Sequence, residues 1–349
     1  MSILVRPARL DEEKEDLLCI LQRNLPDLSH TRRFDWLYHR NPAGAAWCWF
    51  ALEEKSHKPV GVASVFPRCM WIGGASGKLC GQVGDFAIDA PHRSLGPALL
   101  LQKATFDPVN QGKLEFCYDC PPDDRGMSTF RRLGMEPNCR LQRYARPLRL
   151  EHRFAKRFGN SSVISALALM GNLFLFARSA AKSGTNDFEI ALHLGPFDEE
   201  FTTLDERVGA DDSIRSRRSS NDLNWRFRED PLHQYCVLTA RRRGELAGFL
   251  VAAAQDRDAY VVDLFGDPLD RVGPALLEAL AQQERRAKTQ SLHALALPGT
   301  ELARVLRRAG FSEREASARV VAYSKPGTAT SEFLARRPQW SFTRMDLLA

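Results

Sequence analysis

The stretch with the most evident chemistry is Arg93-Ser94-Leu95-Gly96-Pro97-Ala98, which follows a strand-like segment and opens an apolar, helix-like one. A helix start carries unpaired N–H groups and the positive end of the backbone dipole, so such a turn can hold phosphate. Gly96 lets backbone approach an anion with no side chain between. Arg93 adds a charge-assisted donor. Pro97 suits the first helical turn but has no N–H, so one phosphate bond is missing or supplied elsewhere. Cys117-Tyr118-Asp119-Cys120 is a lone C-x-x-C. No second pair stands at zinc-ligand spacing and no helix start follows it. Its cysteines read as buried strand thiols, and no metal is expected.

The same pattern occurs twice. Gly96-Pro97-Ala98-Leu99-Leu100 recurs as Gly273-Pro274-Ala275-Leu276-Leu277. Upstream, Asp85-Phe86-Ala87-Ile88-Asp89 parallels Asp263-Leu264-Phe265-Gly266-Asp267, and Trp36 to Pro42 parallels Trp225 to Pro231. Downstream, Phe130-Arg131-Arg132-Leu133-Gly134 parallels Leu306-Arg307-Arg308-Ala309-Gly310. Four matched blocks in one order predict a single domain plan used twice. The expected division is 1–150, a linker over 151–187, a second domain over 188–324 and a tail over 325–349.

The elements that would position these residues follow from periodicity. In the first unit, Ile3 to Arg6 reads as a strand and Asp11 to Leu25 as an amphipathic helix capped by Asp11. Thr31 to Arg40 reads as a second helix, stopped by Asn41-Pro42. Three strands follow, over Ala46 to Leu52, Val60 to Ile72 and Lys78 to Ile88. A helix over Leu95 to Phe106, a strand over Leu114 to Tyr118 and a short helix over Met127 to Leu133 come next, and Leu141 to Leu150 closes the unit as a strand. The second unit repeats this with a degraded front. Its glycine-started helix spans Val272 to Gln283, its late helix Thr300 to Arg308, and its last strand Ala316 to Tyr323. The tail carries Trp340 and Phe342, able to dock on a domain.

The 349 residues are long enough for two cores. Hydrophobic content of 44% and charged content of 26% describe a globular protein rather than a disordered or membrane-spanning chain. The net charge of +6 is mild. No signal-peptide pattern opens the sequence and the eight cysteines are scattered, so a cytoplasmic, reduced protein is expected. Val163 to Ala177 is nearly all apolar and flanked by basic residues, too short for a comfortable span. It reads as a linker helix, with peripheral membrane contact or a wall for an acyl chain as the alternatives. Arg140, Arg143, Arg146 and Arg149 suggest a basic ridge on a solvated strand edge, or a contact for an acidic carrier protein. Aromatic interleaving is too thin for nucleic acid.

The block from Asp85 to Leu100 resembles the Q/R-x-x-G-x-G/A signature of the GNAT superfamily of acyl-CoA-dependent acyltransferases. The strand order and the late helix ending at Gly134 resemble that family too, and the resemblance covers both halves. It implies an α/β (α+β) fold of two tandem GNAT-like domains, each a mixed, mostly antiparallel sheet flanked by helices. It also implies acetyl-CoA or a longer acyl-CoA as co-substrate, held by Phe86, Ala87, Ile88, Arg93, Ser94, Leu95, Gly96, Pro97 and Ala98. An amine of a small molecule or peptide would attack the thioester directly, in a ternary complex. A backbone N–H of the Asp85–Ile88 strand would polarise the carbonyl. Asp85 is the candidate base or substrate contact, although its repetition as Asp263 also suits a structural role. The family's usual thiolate-protonating tyrosine is replaced by Phe130, and by Leu306 in the second unit. Tyr118, Ser128 or Cys120 would stand in, or the thiolate would leave unassisted. Trp36, Tyr38, His39 and Arg40 fall where this family lines its acceptor pocket, although the repetition of Trp36 as Trp225 also suits packing. In the second unit Asp270 stands where the family has Arg or Gln and would repel phosphate, which predicts a scaffold, substrate wall or dimer surface there. The alternative for the whole chain is a catalytically reduced GNAT-fold module that binds acyl-CoA or an acyl carrier. Acceptor identity and oligomeric state are not legible in the sequence.

Overall fold

The computed structural model describes residues 2–121, 123–149, 187–209, 213–336 and 339–347. The apolar stretch 163–177 lies outside the described residues.

The first half runs β1 (Ile3–Pro7), α1 (Lys14–Asn24), α2 (Thr31–Phe34), β2 (Trp47–Glu53), β3 (Pro59–Ile72), β4 (Ala75–Ile88), α3 (Leu95–Ala104), α4 (Asp107–Asn110), β5 (Phe116–Asp119), α5 (Asp124–Arg132) and β6 (Cys139–Pro147). The second half runs β7 (Glu189–Leu192), α6 (Glu199–Val208), β8 (Ser213–Ser216), α7 (Ser220–Phe227), β9 (Cys236–Arg242), β10 (Glu245–Gln255), β11 (Asp258–Gly266), α8 (Leu269–Arg286), β12 (Ser291–Ala296), α9 (Glu301–Arg308) and β13 (Ser312–Ser324). The tail adds α10 (Ala329–Ala335) and β14 (Gln339–Trp340).

Each half keeps helices on both faces of its sheet, because both faces of the central strands are apolar. On β3, Val62 and Phe66 pack under α1 and α2, whereas Ala63 and Val65 join the core that includes Leu101 of α3 and Met127 and Phe130 of α5. Helix α1 buries Leu17, Ile20 and Leu21, an i, i+3, i+4 stripe. Asp11 does not cap it: the helix starts at Lys14, and Glu13 accepts from Arg6 (3.0 Å) and from the Arg9 N–H (2.7 Å). After Phe34 the chain widens into a π turn over Asp35–His39 rather than continuing as regular helix to Arg40. The late helices match closely. Asp123 caps α5 through the Gly126 N–H (2.8 Å), and Thr300 caps α9 through the Ala303 N–H (3.2 Å). Both helices end at a left-handed glycine, Gly134 (φ 74°) and Gly310 (φ 89°).

The two sheets are continuous, in the order β1-β2-β3-β4-β5-β13-β6-β12-β11-β10-β9-β7. This corrects the expectation that residues 141–150 close the first unit. Strand β6 pairs with β12 and β13, not with β5, and β13 supplies the strand beside β5 through Val321↔Asp119 to Ser324↔Phe116. Each half therefore receives its last strand from the other. The arginine ridge dissolves for the same reason. Strand β6 is interior to the sheet, and alternation sends its side chains to opposite faces. Arg143 bonds Glu315 and the His293 ring on one face, while Arg146, 8% exposed, bonds Glu278 on the other.

The halves also meet through a reciprocal tryptophan contact. Trp36 donates its indole N–H to the Trp225 carbonyl (2.8 Å), and Trp225 donates to the Trp36 carbonyl (3.1 Å), with the rings stacked at 5.0 Å. Arg226 lies over Trp36 and Arg68 over Trp225. The tail does dock: Trp340 and Phe342 are buried with Phe116 and Tyr118 of β5.

Candidate active site

Strands β4 and β5 run parallel but pair at only two positions, Gly81↔Cys117 and Gln82↔Tyr118. Beyond them the strands part, for two local reasons. In β4 the pairing with β3 jumps from Ser64↔Gly84 to Val62↔Ala87, so Asp85 and Phe86 together face one β3 residue. This bulge bends β4, and Asp85 takes a left-handed φ of 47° within it. In β5 the ladder stops at Asp119, just before Cys120-Pro121-Pro122, where proline cannot donate. The wedge between them is a cleft of about 820 Å³. Gly84, Phe86, Ala87 and Ile88 form one wall; Asp119, Pro121, Arg125, Ser128 and Phe130 form the other; Arg93, Ser94, Leu95 and Ala98 line it at the start of α3.

The start of α3 has the properties of an anion site. Its first intrahelical bond runs from the Ala98 N–H to the Ser94 carbonyl (3.4 Å). Pro97 has no N–H, so the amides of Leu95 and Gly96 are the unspent donors of the first turn. A Cβ on Gly96 would meet nothing within 4 Å, so its backbone faces open space. Arg93 is held beside it by bonds to the Ile88 carbonyl (3.2 Å) and the Asn24 side chain (2.9 Å).

The second half lacks this arrangement. Helix α8 begins at Leu269, four residues before Gly273, which places Gly273 inside the helix with its N–H already in the helical ladder. A Cβ on Gly273 would lie 2.8 Å from Val305 of α9, so the two helices close where the first half is open. The expectation of a helix started by this glycine was wrong, because Leu269 and Val272 bury against the core and extend the helix N-terminally.

The expected site residues separate into those that line the cleft and those that do not. Phe86, Ala87, Ile88, Arg93, Ser94, Leu95, Ala98 and Ser128 line it, and Gly96 and Pro97 belong to the same turn. Ser128 is exposed, and its hydroxyl donates to the Arg125 carbonyl (2.7 Å). Asp85 points away, to the α2 face. Its carboxylate takes both guanidinium nitrogens of Arg33 (2.8 and 2.9 Å) and the Tyr38 hydroxyl (2.7 Å), all buried. Asp263 repeats this with Arg218 (2.8 and 2.9 Å) and the Thr343 hydroxyl (3.1 Å). A carboxylate gripped in this way, and repeated in both halves, anchors the bulge rather than accepting a substrate proton. Tyr118 is buried beneath Phe342, and its hydroxyl donates to the Asp346 carbonyl (3.3 Å), out of reach of the cleft. Burial pushes its phenol well above the usual range. Trp36 is consumed by the contact between halves. His39 and Arg40 are exposed at the end of the π turn, near Asp11 and Glu229, and do not line the cleft. Burial pushes the Cys120 thiol well above its ordinary value, so it is no thiolate nucleophile.

Sequence reasoning missed Asp119. It sits on the cleft wall at the point where β5 stops, and its carboxylate accepts the Cys120 N–H (2.6 Å). Burial raises it from 3.8 to about 7, with that N–H opposing. The signal was a carboxyl at the end of a strand broken by Pro121-Pro122, overshadowed by the two cysteines that flank the tyrosine and the acid.

No family model matches the sequence and no curated protein matches it significantly. Solved structures do. A conserved protein of unknown function from Enterococcus faecalis V583, described as a probable N-acyltransferase, aligns over 92% of this chain and 72% of its own, at 12% identity and a TM-score of 0.63. A GCN5-related N-acetyltransferase from Anabaena variabilis aligns over 91% and 72%, at 12% identity and 0.62. Saccharomyces cerevisiae N-myristoyltransferase with bound myristoyl-CoA aligns over 100% and 85%, at 12% identity and 0.57. This chain has the GNAT fold in tandem. The first half holds the splayed parallel strands and the open helix start, and the strand exchange joins the two copies into one sheet. Among the described residues, no helix is long and apolar enough to cross a membrane, and no group of three His, Cys, Asp or Glu could hold a metal ion.

Proposed function

We propose that the chain is an acyl-CoA-dependent N-acyltransferase that uses the first-half cleft alone. The observation that carries this is the contrast between the copies: Gly96 faces open space at a helix start, whereas Gly273 is packed against Val305 inside a helix. The donor is acetyl-CoA or a longer acyl-CoA. Its pyrophosphate would lie over the Leu95 and Gly96 amides and beside Arg93, with the thioester in the wedge. A backbone N–H of β4 beyond Gln82, freed from β5, would polarise the carbonyl. Asp119, across the wedge, would accept the ammonium proton of an amine acceptor, since a carboxyl near pH 7 is matched to that task. The thiolate would leave without a phenol, because Phe130 occupies the family tyrosine's place and Tyr118 is covered. That same absence supports the second reading, an acyl-CoA-binding module without turnover.

The test is release of free coenzyme A from acetyl-CoA and longer acyl-CoA donors by the purified chain, over a panel of small-molecule and peptide amines. An acyl carrier protein tested as donor in place of the CoA thioester addresses the remaining donor class. Arg93→Glu should weaken coenzyme A binding by about 10-fold or more, by losing a charge-assisted contact and adding repulsion. Binding that survives Arg93→Glu would refute the site. Binding without release on every amine would favour the module.

A further inference from the structure

A second cavity, of about 510 Å³, opens on the α7 face of the second half, and it shares no lining residue with the acyl-donor cleft. It exists because the two copies treat one face differently. Aligned on Asp85 and Asp263, the β4–β5 pair Gln82↔Tyr118 corresponds to the β11–β12 pair Tyr260↔His293. In the first half that pair is covered by the tail: Phe342 packs on Tyr118, and Gln82 donates to the Asp346 carbonyl (2.9 Å). In the second half Tyr260 and His293 line the open cavity instead.

The lining is basic. Arg143, Arg226, Arg344, His233 and His293 contribute to it, with no Asp or Glu. The carboxylates nearby are already engaged, Asp230 by His233 and the Tyr235 hydroxyl, Asp258 by His293, and Glu315 by Arg143. Two guanidinium groups are left under-served. Arg226 is 4% exposed; it donates to the Leu347 carbonyl (3.0 Å), stands 4.0 Å from Asp230, and its Nε finds no acceptor among the described residues. Arg344 has no carboxylate partner among the described residues and stands over the Tyr260 ring at 4.2 Å. Tyr260 in turn stacks on His293 at 5.0 Å and 27°. The Arg143 donor at Nδ1 (3.1 Å) holds that ring, whose Nε2 stands 3.3 Å from Asp258. A buried guanidinium with unspent donors is costly, and a forked oxyanion satisfies it best.

We propose that this cavity is a binding site for a small organic oxyanion, a carboxylate or a phosphate monoester with a planar body. Arg344 and Arg226 grip the oxygens, and the body lies against the Tyr260–His293 platform. The volume falls within the range of small-molecule sites. The proposal stands apart from the acyl-transfer reading and survives its failure.

The test is calorimetry on the full chain with benzoate, phenyl phosphate and neutral benzyl alcohol, together with NMR of histidine-labelled protein. One of the two anions should bind saturably and shift the His293 ring signals, and which one does so separates the carboxylate from the phosphate source. Arg344→Ala should weaken it by at least 10-fold, whereas Arg93→Glu should leave it unchanged. Arg344→Gln, which keeps the side-chain length without the charge, should also weaken it. Equal binding of benzyl alcohol, no effect of either Arg344 variant, loss on Arg93→Glu, or no binding of either anion at millimolar concentration would overturn the site.

Discussion

Asp119→Asn tests the chemistry and the electrostatics of the cleft with one atom changed. The Asp119 carboxyl is half-buried, one oxygen accepts the Cys120 N–H, and burial lifts it from 3.8 to about 7. The native state therefore keeps a proton that the unfolded chain has released, over the window from about pH 4 to about pH 7. Because the native state binds more protons there, stability falls as pH rises through that window and stays lower above it. A shift of about 3 units at about 1.4 kcal/mol each sets a ceiling of about 4 kcal/mol, and residual contact with solvent reduces it to about 2 kcal/mol. Asparagine keeps the acceptor for Cys120 and carries no charge at any pH. Urea unfolding should find Asp119→Asn about 2 kcal/mol more stable than the parent at pH 8 and nearly equal to it at pH 4. In the coenzyme A release assay the parent's kcat/KM should rise through a limb near pH 7. The variant should lose that limb and about 100-fold or more in rate, the ordinary size of a general-base contribution. A gain in stability with lost activity marks a group held at a cost for function. If the variant is less stable at pH 8 than at pH 4 relative to the parent, or keeps both rate and limb, the assignment of Asp119 fails.

The two repeated glycines should respond oppositely. Gly273→Ala forces a Cβ to 2.8 Å from Val305 and should cost about 1–3 kcal/mol in urea unfolding without touching coenzyme A affinity, whereas Gly96→Ala should fold normally and weaken coenzyme A in calorimetry. Asp85→Ala strips Arg33 of its buried partner and should cost about 3–5 kcal/mol in urea unfolding. If Asp85 only anchors the bulge, the milder Asp85→Asn should retain kcat per folded molecule and an unaltered pH limb; loss of that limb would restore it as the base.

What the sequence made legible were the features that local chemistry writes directly. The duplication, the glycine turn at Arg93–Ala98, the late helix with its glycine stop and the strand before it all stand close to where periodicity and motif placed them, although the parallel pairing of that strand was not read. What it hid depends on contacts between distant residues. Nothing in Leu141–Leu150 says that its partner lies in the other half, because an interior strand reads the same whichever sheet accepts it. Asp85 stayed open between a base and a structural residue because Arg33, 52 positions away, is visible as its partner only in three dimensions. The arginines at 140, 143 and 146 read as a ridge on a solvated strand edge, whereas β6 lies inside the sheet and alternation splits them between its two faces. Gly273 read as a helix start because a Leu269 packed against the core is indistinguishable in sequence from a loop leucine.

The strand exchange also gives the half with the closed motif a structural part in the first-half cleft. Strand β5 carries Asp119 to the cleft, and β4 has parted from it beyond Gln82, so β5 needs support on its other edge. That support is β13, from the second half. The same strand reaches the helices around the cleft. Arg319 bonds Asp124 at the start of α5 (3.0 Å), and Tyr323 stacks on Phe106 just after α3 and donates to Asn110 (2.8 Å). The tail beyond it covers Tyr118 on the opposite face and anchors Gln82. A cleft formed by separating two strands must be held open from outside the pair, because the lost ladder no longer fixes their distance. In this chain the second copy supplies that brace, while the matching face of its own half, over Tyr260 and His293, stays open as a cavity edged by Arg344 and Leu347 of the tail.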